Sequence, residues 1–320
     1  MSIRGVNDIN AAVAVMLAGE AHYAADMFRG EEGLVLERAW GTNGGTVLWE
    51  LLGSRGLDFQ FRPERAQPLE IATDVRVRRA IAHALDKEAL FTAVSAGHGI
   101  ASDTFTHKNL DYFAQVDREA MKHPHDPRRT QALLEEANFT RSSDGRWITP
   151  RGEPFDLPIW FTGGSSFFQQ ENAIIVDQLK RVGISATSNL WGTQSTERRD
   201  RALLPGIITG SAGGEYGFLG YSIAEIPTEA NRWAGGNRGA YASPDLDRMI
   251  RTFDGTLDPS ERTNLIVQME KVMGTELGSI FLYYHARVYA HIGGLKGVKN
   301  RLVGWAGTSP RNIHEWEWSF

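Results

Sequence analysis

The segment DVRVRRAIAHALDKEAL (74–90) places Val77, Ile81, Ala84 and Leu85 on one face of a helix, with Arg76, Arg78 and Arg79 mostly off that face. The Asp74 carboxylate is placed to accept from the free N–H groups of the first turn, and Asp86 to cap a second helix, 87–95, that Gly97 stops. The same pattern recurs along the chain. Ile9, Val13, Met16 and Leu17 form a stripe behind Asp8 and end at Gly19. Asp126-Pro127, Ser243-Pro244 and Asp258-Pro259 each read as a cap followed by proline at the first helical position. Ile175, Leu179 and Val182 predict a helix over 171–182. Leu57, Phe59 and Phe61 alternate, predicting a strand over 56–63 that Pro63 ends. GRWITPRGEPFDLPIWFT reads as a hairpin, and GISATSNLW, PGIITG and GSIFLYYHARVYAHIGG as strands. Strand–helix alternation of this kind predicts an α/β fold.

Charge decides what the arginines are for. The 320 residues carry 34 basic against 39 acidic side chains, a net charge of −5, which argues against a dedicated nucleic-acid binder. The reading is a solvated or packed face. The absence of cysteine excludes disulfides, thiolate metal sites and cysteine nucleophiles. No apolar run approaches the roughly 18 residues of a membrane span, and MSIRGVNDIN does not read as a signal peptide. Neither GxSxG, a P-loop, HExxH nor GxGxxG is present, so no enzyme class and no cofactor are indicated. His123-Pro124-His125, and His285 with His291, offer too few ligands for a zinc site, which needs three or four.

Five stretches then carry a resemblance. The run 74–88 is similar to the signature helix of the family 5 extracellular solute-binding proteins, the receptors of ABC importers. DPRRTQALLEEANF resembles that family's DxxxAxxLLxEAGF, with Asn138 in place of glycine. ENAIIVDQLKRVGI and FLYYHARVYAHIGGLKGV follow in matching order, and NDINAAVAVMLAGEAHYAA, near the start, is similar to the family's short early helix. The resemblance implies a periplasmic-binding-protein type II-like α/β fold. It implies partial lobe I and a hinge strand over 1–63, an intact lobe II with a mixed sheet over 64–297, and a return to lobe I over 298–320. The segment that precedes residue 1 in family members is missing from this chain, which therefore reads as lacking most of lobe I.

The resemblance also implies a solute held in a cleft between two lobes, permease subunits in the membrane as partners, and a periplasmic or membrane-anchored extracellular location for the full-length protein. On this chain the solute contacts are expected at Thr162, Gly163 and Ser165, in the loop after one strand. Further contacts are expected at Gly210, Ser211, Glu215 and Tyr216 after the next, with Trp233 as a stacking wall. Free N–H groups at 163–166 suit an anionic group. Peptide-binding members carry GWxxD at the second loop, but here it reads Gly210-Ser211-Ala212-Gly213-Gly214, and Glu215 is the nearest carboxylate in sequence. Thr162 stands where dipeptide binders carry arginine. A peptide-like or other amphiphilic solute is the leading reading. A sugar, a metallophore, a truncated remnant that binds nothing and a hydrolase are the alternatives.

Overall fold

In the computed structural model each capping oxygen is in use: Asp126 accepts from Arg128 and Arg129, Ser243 from Leu246, Asp258 from Glu261, Asp74 from Arg76 and Asp8 from Ala11. The structure describes residues 4–6, 8–28, 30–41, 44–95, 97–162, 166–191, 197–210, 215–299 and 312–319. In chain order, the amino-terminal part holds α1 (Ile9–Leu17), β1 (Tyr23–Phe28), α2 (Gly30–Trp40), β2 (Gly45–Phe59), α3 (Glu70–Thr73), α4 (Val75–Ala84), α5 (Lys87–Val94) and β3 (Gly99–Ala101). The middle holds α6 (Phe113–Glu119), α7 (Pro127–Glu136), β4 (Thr140–Arg141), β5 (Trp147–Ile148), β6 (Asp156–Thr162), α8 (Ser166–Arg181), β7 (Ser185–Trp191), α9 (Arg198–Ala202) and β8 (Ile207–Gly210). A 3-10 helix over Glu215–Tyr221 precedes α10 (Pro244–Gly255), α11 (Pro259–Glu276), β9 (Ser279–Ile292), β10 (Leu295–Lys296) and β11 (Glu317–Trp318).

The chain divides into two units. Unit 1 comprises Met1–Ser54, Phe91–Ile100 and Tyr284–Phe320; unit 2 comprises Arg55–Leu90 and Ala101–Tyr283. The unit boundaries fall inside β2, between Ser54 and Arg55, and inside β9, between Tyr283 and Tyr284, and Phe91–Ile100 belongs to unit 1. In unit 1, Ala12, Val13 and Met16 of α1 pack with Leu36 of α2, Phe28 of β1 and Val288 of β9. The carboxy-terminal tryptophans join this unit: Trp316 lies 4.7 Å from the Tyr23 ring and Trp318 4.8 Å from His22. Trp305 lies outside the described residues.

Unit 2 is built on a mixed sheet. β6 runs parallel to β7 and to β8, and β8 runs antiparallel to the end of β2. Leu157, Ile159 and Phe161 alternate along β6 with their side chains buried, and α8 covers the sheet with Ile175 and Leu179. Helices α4 and α7 pack on each other through Val77, Ile81, Leu133 and Leu134, all essentially inaccessible. Each such side chain contributes roughly 1.5–3 kcal/mol relative to exposure.

Three expectations are corrected. The hairpin over 145–162 shrinks to one bridge, Ile148 to Pro154: β5 pairs with β4 instead, and β6 enters the large sheet. The helix expected over 171–182 begins at Ser166, and the strand expected over 56–63 begins at Gly45 and ends at Phe59.

The opening arginines have a packing answer. Arg78 donates to the carbonyls of Glu276 and Ile71 while lying 4.9 Å over the Phe61 ring, and Arg79 donates to Thr275. Both therefore neutralise the unpaired carbonyls at the end of α11, where the helix dipole is negative. Arg76 forks onto Asp74 of its own cap. Burial pulls the Arg78 pKa down to about 10. All three guanidinium groups make hydrogen bonds within the protein.

Two buried acids of unit 2 matter later. Glu171 on α8 accepts from Arg55 Nε at 2.8 Å and from Tyr283, and both ends of the Arg55–Glu171 pair are almost fully buried. Glu270 on α11, 2% exposed, accepts from the Phe105 and Thr106 amides and the Thr106 hydroxyl.

Gly206 shows how tightly β8 enters the sheet. Its φ is +75°, and a Cβ built on it would lie 2.2 Å from the Pro158 carbonyl oxygen. Its own carbonyl accepts from Gln60 N at 2.9 Å. Gly206→Ala is expected to destabilise unit 2 by about 2 kcal/mol, the left-handed cost for a residue with a Cβ plus the clash. A urea midpoint unchanged by the substitution would contradict this packing.

Candidate functional site

Because β6 is parallel to both β7 and β8, the carboxyl ends of all three strands open at one edge of unit 2. Thr162 pairs with Trp191, and Gly210 closes β8 one strand away on the other side of β6. In open α/β sheets this is the edge where ligands bind, since loops and helix starts gather there. Thr162 is half-buried at the end of β6. Gly163, Ser165 and Ser211 lie outside the described residues. Glu215 and Tyr216 open the 3-10 helix that follows.

Register brings in a residue that the linear reading passed over. Asp58 on β2 pairs with Ile208 while Gly56 pairs with Gly210, so Asp58 and Gly210 share a sheet face as diagonal neighbours. Gly210 has no side chain to fill that place: a Cβ there would stand 3.8 Å from Asp58 Oδ2. The other carboxylate oxygen, Oδ1, accepts from Tyr221 at 2.8 Å. Burial pushes the Asp58 carboxyl up, opposed by hydrogen bonds from Tyr221 and Ser279 and by the fields of Arg238 and Arg55. Asp58 thus adds to this edge a carboxylate that the linear reading did not count. The signal in the sequence was a charged residue between Leu57 and Phe59 in an otherwise apolar alternation.

Trp233 stands in a different setting. With Arg198, Arg201, Arg238, Pro227 and Gly235 it lines a hollow of about 210 Å³ in unit 2. The Arg199 guanidinium lies 5.8 Å from its ring centre. Phe218, weighed as a loop aromatic, is core: it is buried, 5.5 Å from the Phe105 ring.

His123 Nε2 faces the Gly274 carbonyl at 3.1 Å, and burial pulls its pKa down to about 4, whereas His125 sits 3.7 Å from Asp86. Among the described residues no group of three or more His, Cys, Asp or Glu is placed to hold a metal ion. Among the same residues no helix is long and apolar enough to cross a membrane.

Comparison with known proteins gives the family and the fold. The description "Bacterial extracellular solute-binding proteins, family 5 Middle" matches residues 1–216. The oligopeptide-binding protein AppA of Bacillus subtilis (strain 168) is 19% identical over 238 residues, 72% of this chain and 42% of that protein. Among solved structures, NikZ from Campylobacter jejuni in complex with Ni(L-His) superposes with a TM-score of 0.80 at 18% identity, over 98% of this chain and 61% of that one. The oligopeptide-binding protein from Thermus thermophilus, complexed with a pentapeptide, gives a TM-score of 0.75 at 20% identity, over 92% of this chain and 52% of that one. The chain spans about half the length of these relatives, and its mixed α/β fold is theirs.

Proposed function

Since the chain belongs to the family 5 bacterial extracellular solute-binding proteins, we propose that it is the solute-binding part of an ABC import receptor, with unit 2 as lobe II and unit 1 as part of lobe I. It acts outside the cytoplasmic membrane and hands its solute to permease subunits, by binding and release without turnover. The observation that carries this reading is the shared edge formed by Thr162, Trp191 and Gly210, with Asp58 beside the glycine. Backbone and small side chains there allow close approach, while a half-buried carboxylate supplies a counter-charge for a cationic group. A buried ammonium without such a partner is costly.

A peptide-like solute with a free amino terminus fits this edge best. The relatives bind oligopeptides or a nickel–histidine complex, as their descriptions state, and the reading supported here takes the peptide side because of Asp58. Solute contacts are assigned to Thr162, Gly163, Ser165, Gly210, Ser211, Glu215, Tyr216 and Trp233, with Asp58 added.

Calorimetric titration with short peptides, their amino-acetylated forms and a neutral oligosaccharide tests the assignment. Asp58→Asn and Glu215→Gln are each expected to weaken binding of a free-amino peptide by about 1.5–3 kcal/mol, the scale of a hydrogen bond to a charged group. Neither should change binding of the acetylated peptide or the sugar. Equal losses across all three ligands would remove the carboxylates from solute recognition, and hydrolysis of chromogenic esters would overturn the binding-only reading.

A further inference from the structure

The hollow beside Trp233 concentrates positive charge without answering it. Arg198, Arg201 and Arg238 line it, and no carboxylate does. Behind them Arg62 donates to the carbonyls of Ala202, Pro227 and Arg238, so a fourth guanidinium is held there by neutral acceptors alone. Two acids of unit 2 that neighbour the lining residues already hold other donors. Glu225 accepts from the Gly236 amide at 2.9 Å, and Asp58, whose field reaches Arg238, accepts from Tyr221. Among the described residues none of the three lining arginines forms an ion pair.

Arg201 is the most confined of the three. Its guanidinium lies 4.0 Å over the Trp191 ring, and its Nε is buried with no acceptor. Burial and then the like charge of Arg238 hold its pKa below the usual arginine value. The opposite wall is built at a conformational cost: Arg232 and Trp233 both take left-handed φ angles, 54° and 59°. Neighbouring structure must over-determine such residues, and such strain clusters at functional positions. Here Trp233 N donates to the Thr228 carbonyl at 2.7 Å, which presents the indole to the hollow.

We propose that this hollow is a binding site for an oxyanion, a phosphate or carboxylate group gripped by Arg201 and Arg238 against the Trp233 indole. Guanidinium forks match such groups with paired, charge-assisted hydrogen bonds. An anion also relieves the repulsion among the arginines. The group comes either as a free anion or on a larger, flat-bodied solute. The inference shares Trp233 with the proposed solute contacts and deepens that reading. Its test needs no peptide, so either can fail alone.

The protein is titrated calorimetrically at constant ionic strength, in a chloride buffer, with inorganic phosphate and with phenyl phosphate. Saturable binding of at least one is expected. Arg201→Gln and Arg238→Gln should each weaken it at least ten-fold, and Arg238→Lys should lose less because the charge stays. Trp233→Leu should weaken phenyl phosphate alone. Circular dichroism melts confirm that each variant is folded, and Arg128→Gln, on the exposed start of α7, is the control. Binding of phenyl phosphate without inorganic phosphate assigns the site to an anion carried by a solute; the reverse assigns it to a free anion. No saturation by either, or arginine variants that bind as well as the parent, overturns the proposal. Phosphate binding without any peptide binding would leave this site standing and remove the peptide reading.

Discussion

Glu171→Ala is expected to destabilise unit 2 by about 3–5 kcal/mol, because it leaves the Arg55 guanidinium charged and dry. Arg55 donates through Nε and Nη2 to both carboxylate oxygens, Tyr283 adds a third donor, and Phe168 lies 4.6 Å under the guanidinium. Desolvation alone would lower the Arg55 pKa, yet its pKa is raised, since the field and hydrogen bonds of Glu171 outweigh burial. The Arg55 guanidinium therefore keeps its charge in the dry interior and depends on its Glu171 partner. Replacing the whole group with Arg55→Met, Glu171→Met and Tyr283→Phe should recover most of the loss, as apolar replacements of buried ion pairs often do. Urea unfolding of the single and triple variants measures both effects. A single-variant loss under about 1 kcal/mol would mean that water reaches Arg55 and that the pair is not sealed.

Glu270 is expected to make the protein less stable by about 3 kcal/mol as pH rises from 4.5 to 7. Burial raises its pKa from 4.5 to about 7, against the hydrogen bonds from Thr106 and Phe105. Within that window the folded chain keeps a proton that the unfolded chain has released, so raising the pH favours unfolding. The contribution is complete below about pH 4.5 and gone above about 7. The scale is about 1.4 kcal/mol per pKa unit. Asp58 is also raised and acts in the same direction, whereas Asp74 and Asp103 are lowered and lose stability only as pH falls into the acid range. The difference between the parent and Glu270→Gln therefore isolates Glu270. Across this window that difference should change by about 3 kcal/mol, and parallel curves for the two proteins would refute the assignment.

Where local chemistry sets the structure, the sequence was legible. Each Asp-Pro or Ser-Pro pair opened a helix within a residue of expectation, because the cap and the fixed φ of proline act over one turn. Helix α2 went unread: it starts at Gly30 behind Arg29 with no Ser, Thr, Asp or Asn to announce it. Strand β1 lies in the polar-flanked YAADMF, whose partner Val288–His291 is some 260 residues away. The hairpin failed for the same reason in reverse. Its turn residues are genuine, but the parallel ladder with β7 competes for Asp156–Thr162 and wins with seven paired positions.

At the candidate edge, the strand-end positions of Thr162 and Gly210 were legible because βα order fixes which ends converge. Asp58, Arg201 and Arg238 were not. Their relevance comes from register and from the path of a loop, neither of which leaves a spacing in the chain.

The two strands that pass through both units also constrain synthesis. The Ser279 hydroxyl donates to the Leu57 carbonyl across 222 residues of chain. On a ribosome moving at about 5–20 residues per second, the end of β2 therefore waits roughly 10–45 seconds for β9 to emerge. During that interval its backbone groups form an unpaired edge, open to any other extended chain nearby. A slowed ribosome or a stalled carboxy terminus should thus convert nascent chains into aggregates before it yields any misfolded soluble product.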